Sequence, residues 1–272
     1  LAARSANTGF GKDSSVRSET DQGRIARSVS RNRLLRFVGV MLLGLALAAC
    51  GARGAAVLYA PAAAVGTSVP VIVATSRAPS AAPDHFSSRR SVVLGFARFE
   101  VSVPPDRRPG TVRFPAKSSP DPQTDFLIAS SRQLDGPAGF VDAVNRELAA
   151  RRKTTATVFV HGYNTNFAEG LFRQAQLHAD YADPGVSVNY SWPSAAAARF
   201  YVYDIESAIF ARTGLEATIN GLTGSRITGM TLVAHSMAGQ VLMESLHQMA
   251  VRGDAPAFRK IKDVVLLSPD VN

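Results

Sequence analysis

The 272-residue chain contains a single cysteine, Cys50, so no intrachain disulfide can form. It has one tryptophan and five histidines. No CxxC, HExxH, GxxxxGK[ST] or GxGxxG pattern occurs anywhere along it. The usual sequence signs of a metal centre or nucleotide site are therefore missing, and no metal and no cofactor is expected. Nor is there an uninterrupted apolar run of the ~20 residues that spans a bilayer. Charged residues make up 19% of the chain and apolar ones 46%, enough to bury a substantial core.

The formal charge of +9 is distributed unevenly. Residues 1–36 hold eight basic and three acidic side chains, and the remainder is close to balance. Pairs such as Arg89-Arg90, Arg107-Arg108 and Arg151-Arg152 read as solvated surface at turns or a helix end. No nucleic-acid partner is expected from them.

Arg31, Arg33 and Arg36 precede the apolar run "FVGVMLLGLALAA" (37–49), which Cys50 follows at once. This length suits a signal-peptide core at residues 29–50; the competing reading is an anchor helix continuing past Arg53. The ending "LAAC" resembles the lipobox of bacterial lipoprotein precursors. That resemblance implies lipidation of Cys50, attachment to a membrane, and a cell-envelope location facing outside the cytoplasm. Residues 1–28 are polar, without apolar periodicity, and read as a disordered or mis-assigned extension. Residues 51–68, rich in Ala, Gly and Pro, read as a flexible tether.

From Val69 the pattern is that of a folded domain running to residue 272. Val69–Thr75 and Ser91–Val103 read as strands joined by a proline-containing loop. A helical pattern follows at Phe140, Val141, Val144 and Leu148. Next come the β-branched run Thr155–Val160 and the further strand-like runs Val186–Tyr190, Met230–Ala234 and Asp263–Leu267. Helical segments separate them, the longest covering about Ala195 to Leu222. Strands alternating with helices imply an α/β fold with a mostly parallel sheet covered on both faces, and antiparallel strands at the N-terminal edge.

One stretch stands out chemically: "TLVAHSMAGQV" (231–241). Ser236 falls between an expected strand and an expected helix, with small Ala234 and Ala238 two residues to either side and Gly239 next. That is the arrangement of a strand-to-helix nucleophile elbow. The competing reading is a serine that merely caps the helix. A second stretch, "VFVHGYNTNF" (158–167), puts His161-Gly162 directly after another strand, or forms an ordinary turn there.

The segments "VIVATSRAP", "FARFEVSVPPDRRPG", "VFVHGYNTNFAEG", "YSWPS", "LVAHSMAGQVLMESL" and "VVLLSPDVN" together resemble the α/β-hydrolase superfamily. More closely, they resemble a bacterial branch catalogued as α/β-hydrolases of unknown function. The resemblance implies Ser236 as nucleophile after a fifth strand, with backbone N–H groups of Tyr163 and Met237 binding the oxyanion. Two such donors contribute on the order of 3 kcal/mol each. His161, Gly162, His235 and Gly239 would support the elbow, with the His235 side chain packed behind it.

A serine nucleophile also needs a base within ~3 Å. None of the five histidines is well placed: His85 and His178 lie away from the elbow, and His161 belongs to the oxyanion turn. His235 adjoins the serine, while His247 is about 16 Å along the next helix. The resemblance puts the triad histidine after an eighth strand, so the catalytic histidine is expected outside this chain and the hydrolase domain to be incomplete at its C-terminus. Asp270 is a candidate acid, or a plain turn residue in "SPDVN". Expected substrates are small carboxylic esters or thioesters; the alternative is a non-catalytic envelope lipoprotein using the fold as a binding module.

Overall fold

The computed structural model describes residues 53–81, 83–115, 119–181 and 185–270. Cys50, the signal segment and residues 1–28 lie outside the described residues.

Seven strands form one mixed sheet in the order β3-β2-β1-β5-β4-β6-β7. β1 (Thr67–Pro79), β2 (Phe86–Val103) and β3 (Leu127–Gln133) pair antiparallel in sequence. β4 (Thr155–Val160), β5 (Val186–Ser191), β6 (Gly229–His235) and β7 (Ile261–Leu267) pair parallel, and β1 joins them parallel to β5. The runs "TATVFV", rich in β-branched residues, and "VSVNYS" are almost wholly buried, as strands covered on both faces must be.

The helices divide between the two faces. α1 (Gly136–Arg151), α3 (Tyr201–Thr223), α4 (Ala238–Arg252) and the short α5 (Ala255–Lys260) cover one. Their core includes Phe140, Leu215, Ile219 and Leu242, packed on Ile72, Val158 and Leu232. α2 (Phe167–Asp180) covers the other face, with Phe167, Leu171 and Phe172 against Val71, Val73, Phe99 and Val101. Ile72 belongs to one core and its neighbours Val71 and Val73 to the other, the two-residue alternation of a strand buried on both sides.

Several expectations need correction. β3 is a strand that the pattern did not reveal, so six strands precede Ser236 rather than five. Only Leu127, Ile128 and Ala129 of β3 are buried, because it lies at the sheet edge. The loop expected between the first two strands is largely strand: Arg77 pairs with Arg90 and Pro79 with Phe86. Arg90 consequently is no solvated turn residue. It donates to Ser207 Oγ at 2.9 Å and stacks 4.5 Å over the Tyr203 ring.

The expected tether is also revised, since its described part packs on the domain. Ala62 is fully buried in a 3-10 turn, and Tyr59 and Val57 exchange backbone hydrogen bonds with Ile128 along the β3 edge. Arg53 reaches Glu169 at 2.9 Å and the Asn164 side chain at 3.1 Å. Apolar burial and backbone pairing offset the entropy that composition alone would have favoured.

Candidate active site

β6 ends at His235 and α4 begins at Ala238, so the chain reverses within two residues. Ser236 makes this possible by adopting φ +54°, a left-handed conformation unusual for a residue with a Cβ. The turn is held from several sides. Ser236 N donates to Leu267 O at 2.9 Å, and its carbonyl accepts from Gly239 N at 2.8 Å and Asp270 N at 3.2 Å. Ala234 and Ala238 are fully buried, leaving room for strand and helix to converge.

The His161-Gly162 turn lies directly against this elbow. A Cβ on Gly162 would sit 2.8 Å from both Nδ1 and the carbonyl oxygen of His235 and 2.9 Å from Ser236 Cβ, closer than real Cβ contacts allow. Glycine is therefore required here by contact distance. His161 itself is buried, stacked 4.9 Å from the Trp192 ring, with its nitrogens 3.0 Å from the carbonyl oxygens of Gly162 and Trp192. Burial, reinforced by the Arg77 charge, pushes its pKa down to about 3. It is a neutral brace for the turn. Trp192 is fully buried beside it, an anchor in the core rather than a pocket wall.

The orientation of the Gly162–Tyr163 peptide follows. Its carbonyl faces the His161 ring, so its N–H points the other way, as a trans peptide requires. No acceptor among the described residues takes the N–H of Tyr163 or that of Met237. Two unclaimed amides beside one serine are what an oxyanion hole needs.

Two cavities flank the elbow. One of about 670 Å³ is lined by Met237, Leu266, Ile205, Met243, Tyr201 and Asp270. The other, about 550 Å³, lies on the Gly162 and His235 side, with Arg173, Phe159 and Leu267. His235 borders this second cavity and is exposed, which corrects the expectation that it packs behind the elbow. Gly239 is buried in the first turn of α4. A third cleft of about 530 Å³ opens at the opposite end of the strands, beside the starts of β1, β4 and β5, around Arg107, Arg151, Lys153 and His178. Arg151 lies in the last turn of α1, where helix carbonyls favour a cation, and Lys153 follows closely. His178, in the last turn of α2, has its pKa pushed down to about 4 by burial and by these two cations.

Asp270 is exposed at the end of β7, tied to the elbow through its N–H and 3.4 Å from the Tyr201 hydroxyl. Among the described residues no side chain hydrogen-bonds Ser236 Oγ. The histidines have other surroundings: His85 faces Ser131 Oγ at 3.0 Å, His178 faces Ser187 Oγ at 2.6 Å, and His247 is exposed on α4. None is brought to the serine as a base.

Sequence reasoning missed Arg77 and Asp204, both buried beneath the loops of the site. An isolated arginine in a strand and an aspartate in a helix carry no pattern that announces such a role.

A mostly parallel sheet with helices on both faces, and a strained serine between strand and helix, defines an α/β-hydrolase-type fold. Residues 138–272 match the family model described as alpha/beta hydrolase of unknown function (DUF900), a stretch that includes both the Gly162 turn and Ser236. No curated protein and no solved structure matches the chain.

Proposed function

We propose that the protein is a serine hydrolase acting on carboxylic esters or thioesters through an acyl-enzyme on Ser236. The observation that carries the reading is the left-handed Ser236 held against Gly162, with the Tyr163 and Met237 amides beside it unclaimed among the described residues. Ser236 Oγ attacks the carbonyl carbon, and the two N–H groups receive the negative charge that develops on its oxygen. The carbonyl C–O or C–S bond then breaks, releasing the alcohol or thiol with the serine proton, and water cleaves the acyl-enzyme to the acid. The cavity beside Met237 takes one arm of the substrate. The base has to be brought to Ser236 by groups other than these five histidines, and Asp270, whose N–H bonds the Ser236 carbonyl, is the candidate acid. A fluorophosphonate probe should label Ser236 and leave Ser236→Ala unlabelled; equal labelling of both would refute the assignment.

The absence of a histidine at Ser236 among the described residues favours a second reading, a non-catalytic binding module. Probe labelling separates the two, since an unactivated serine does not react.

The basic, apolar and cysteine segment at residues 31–50 supports an envelope protein lipidated at Cys50. No described helix is long and apolar enough to cross a membrane. Detergent-phase partitioning that survives in Cys50→Ser would refute lipid attachment at that residue.

A further inference from the structure

The loops that form the site rest on two buried charges. Arg77 and Asp204 are both essentially inaccessible to solvent. Arg77 leaves β1 and spreads its guanidinium under the loops: Nε donates to Ser191 Oγ at 2.9 Å, Nη2 to Thr165 O at 3.0 Å, and Nη1 to Ser194 O at 3.3 Å and Ser87 O at 3.5 Å. Asp204, in the first turn of α3, accepts Asn164 N at 3.1 Å, Ala195 N at 2.7 Å and Ser194 Oγ at 2.6 Å. The two charged ends form no direct ion pair. Ser194 joins them, giving its carbonyl to one and its hydroxyl to the other, while its Oγ also accepts Thr165 N at 3.2 Å.

The consequence falls on residues 163–165. Asn164 N–H is fixed by Asp204, and Thr165 is held at its N–H by Ser194 and at its carbonyl by Arg77. The Tyr163 carbonyl accepts the Thr165 hydroxyl at 3.1 Å. Asn164 adopts φ +54°, a left-handed conformation that asparagine tolerates better than most residues. The peptide groups of residues 163–165 that follow the Tyr163 N–H are therefore held, while among the described residues nothing takes that N–H. Burying two charges costs several kcal/mol each unless they are fully hydrogen-bonded. Here they are bonded to the loops of the site and not to each other.

We propose that Arg77 and Asp204, coupled through Ser194, are positioning residues that aim the Tyr163 amide into the oxyanion hole. Neither touches substrate. The inference rests on Ser236 being the nucleophile, and its test separates the two ideas.

The full-length protein and its Asp204→Asn, Ser194→Ala and Ser236→Ala variants would be compared for p-nitrophenyl ester hydrolysis and for inhibition by a trifluoromethyl ketone, which binds as an oxyanion. A misplaced donor can cost up to about 100-fold in rate. Asp204→Asn is expected to lower kcat by roughly 10- to 100-fold with little change in KM, and to raise the inhibition constant in parallel. Ser194→Ala, which keeps both charges and removes only the linking hydroxyl, should do the same to a smaller extent. A variant that is merely less stable loses active molecules but keeps its inhibition constant. Unchanged inhibition constants in both variants, with Ser236→Ala inactive, would overturn the positioning role and leave the nucleophile standing. Undiminished hydrolysis by Ser236→Ala would overturn both.

Discussion

Ser236 occupies a backbone conformation that costs a non-glycine residue about 1 kcal/mol or more, and it does so where chemistry is proposed. Glycine relieves that cost. Ser236→Gly should therefore gain about 1 kcal/mol, or roughly 3 °C in Tm, while losing all probe labelling. A variant less stable than the parent by thermal unfolding would show the elbow to be unstrained. His161 supports a second prediction at this scale. Its pKa in the fold, about 3, lies below its ordinary value of 6.5, so the unfolded chain binds the extra proton first on acidification. Its contribution to stability is present above about pH 6.5 and is lost progressively as the pH falls towards 3. Urea midpoints should fall between pH 7 and pH 4.5, and His161→Gln should flatten that dependence; equal slopes in the two proteins would exclude His161 as the cause.

Among the elements, α2 shows how the start of a helix organises a site. Asn166 and Glu169 form a reciprocal capping box, each side chain accepting the other's N–H at 2.9 Å. Glu169 also accepts Gly54 N at 2.9 Å and pairs with Arg53, while Arg53 Nη2 donates to Asn164 O at 3.0 Å. The 53–66 segment thus bolts the helix cap and the Tyr163 loop at one end and covers β3 at the other. A chain beginning at Thr67 should be less stable than one beginning at Arg53 by on the order of 2 kcal/mol in urea. Equal midpoints would mean that the segment only lies on the surface. Composition could not show this, because Ala, Gly and Pro read alike in a tether and in a closely packed strap. β3 was illegible for a related reason: with one edge and three buried residues it has too little alternation to stand out.

For the molecule as a whole, the two edges of the sheet differ. β3 is covered by Val57 and Tyr59, whereas among the described residues β7 pairs only with β6. Val264 is 40% exposed on that strand. An uncovered edge with exposed valine invites pairing with a second chain. The 272-residue chain should self-associate with rising concentration in sedimentation velocity, and Val264→Lys should suppress this; a parent chain that stays monomeric throughout would dismiss the edge as a liability.

The alternation of strand-like runs with helical spacing was enough to determine an α/β sheet, because strands buried on both faces are short and mostly apolar. Ser236 between small residues, and Gly162 after a strand, were legible for an equally local reason: a tight turn admits few residue types. What the tertiary structure decided is everything that depends on distance across the sheet. It brought Gly162 within contact of Ser236, turned His235 towards a cavity, and placed Arg77 and Asp204, 127 residues apart in the chain, around one serine. Buried charges answer to partners far away in sequence, so no local pattern could reveal them.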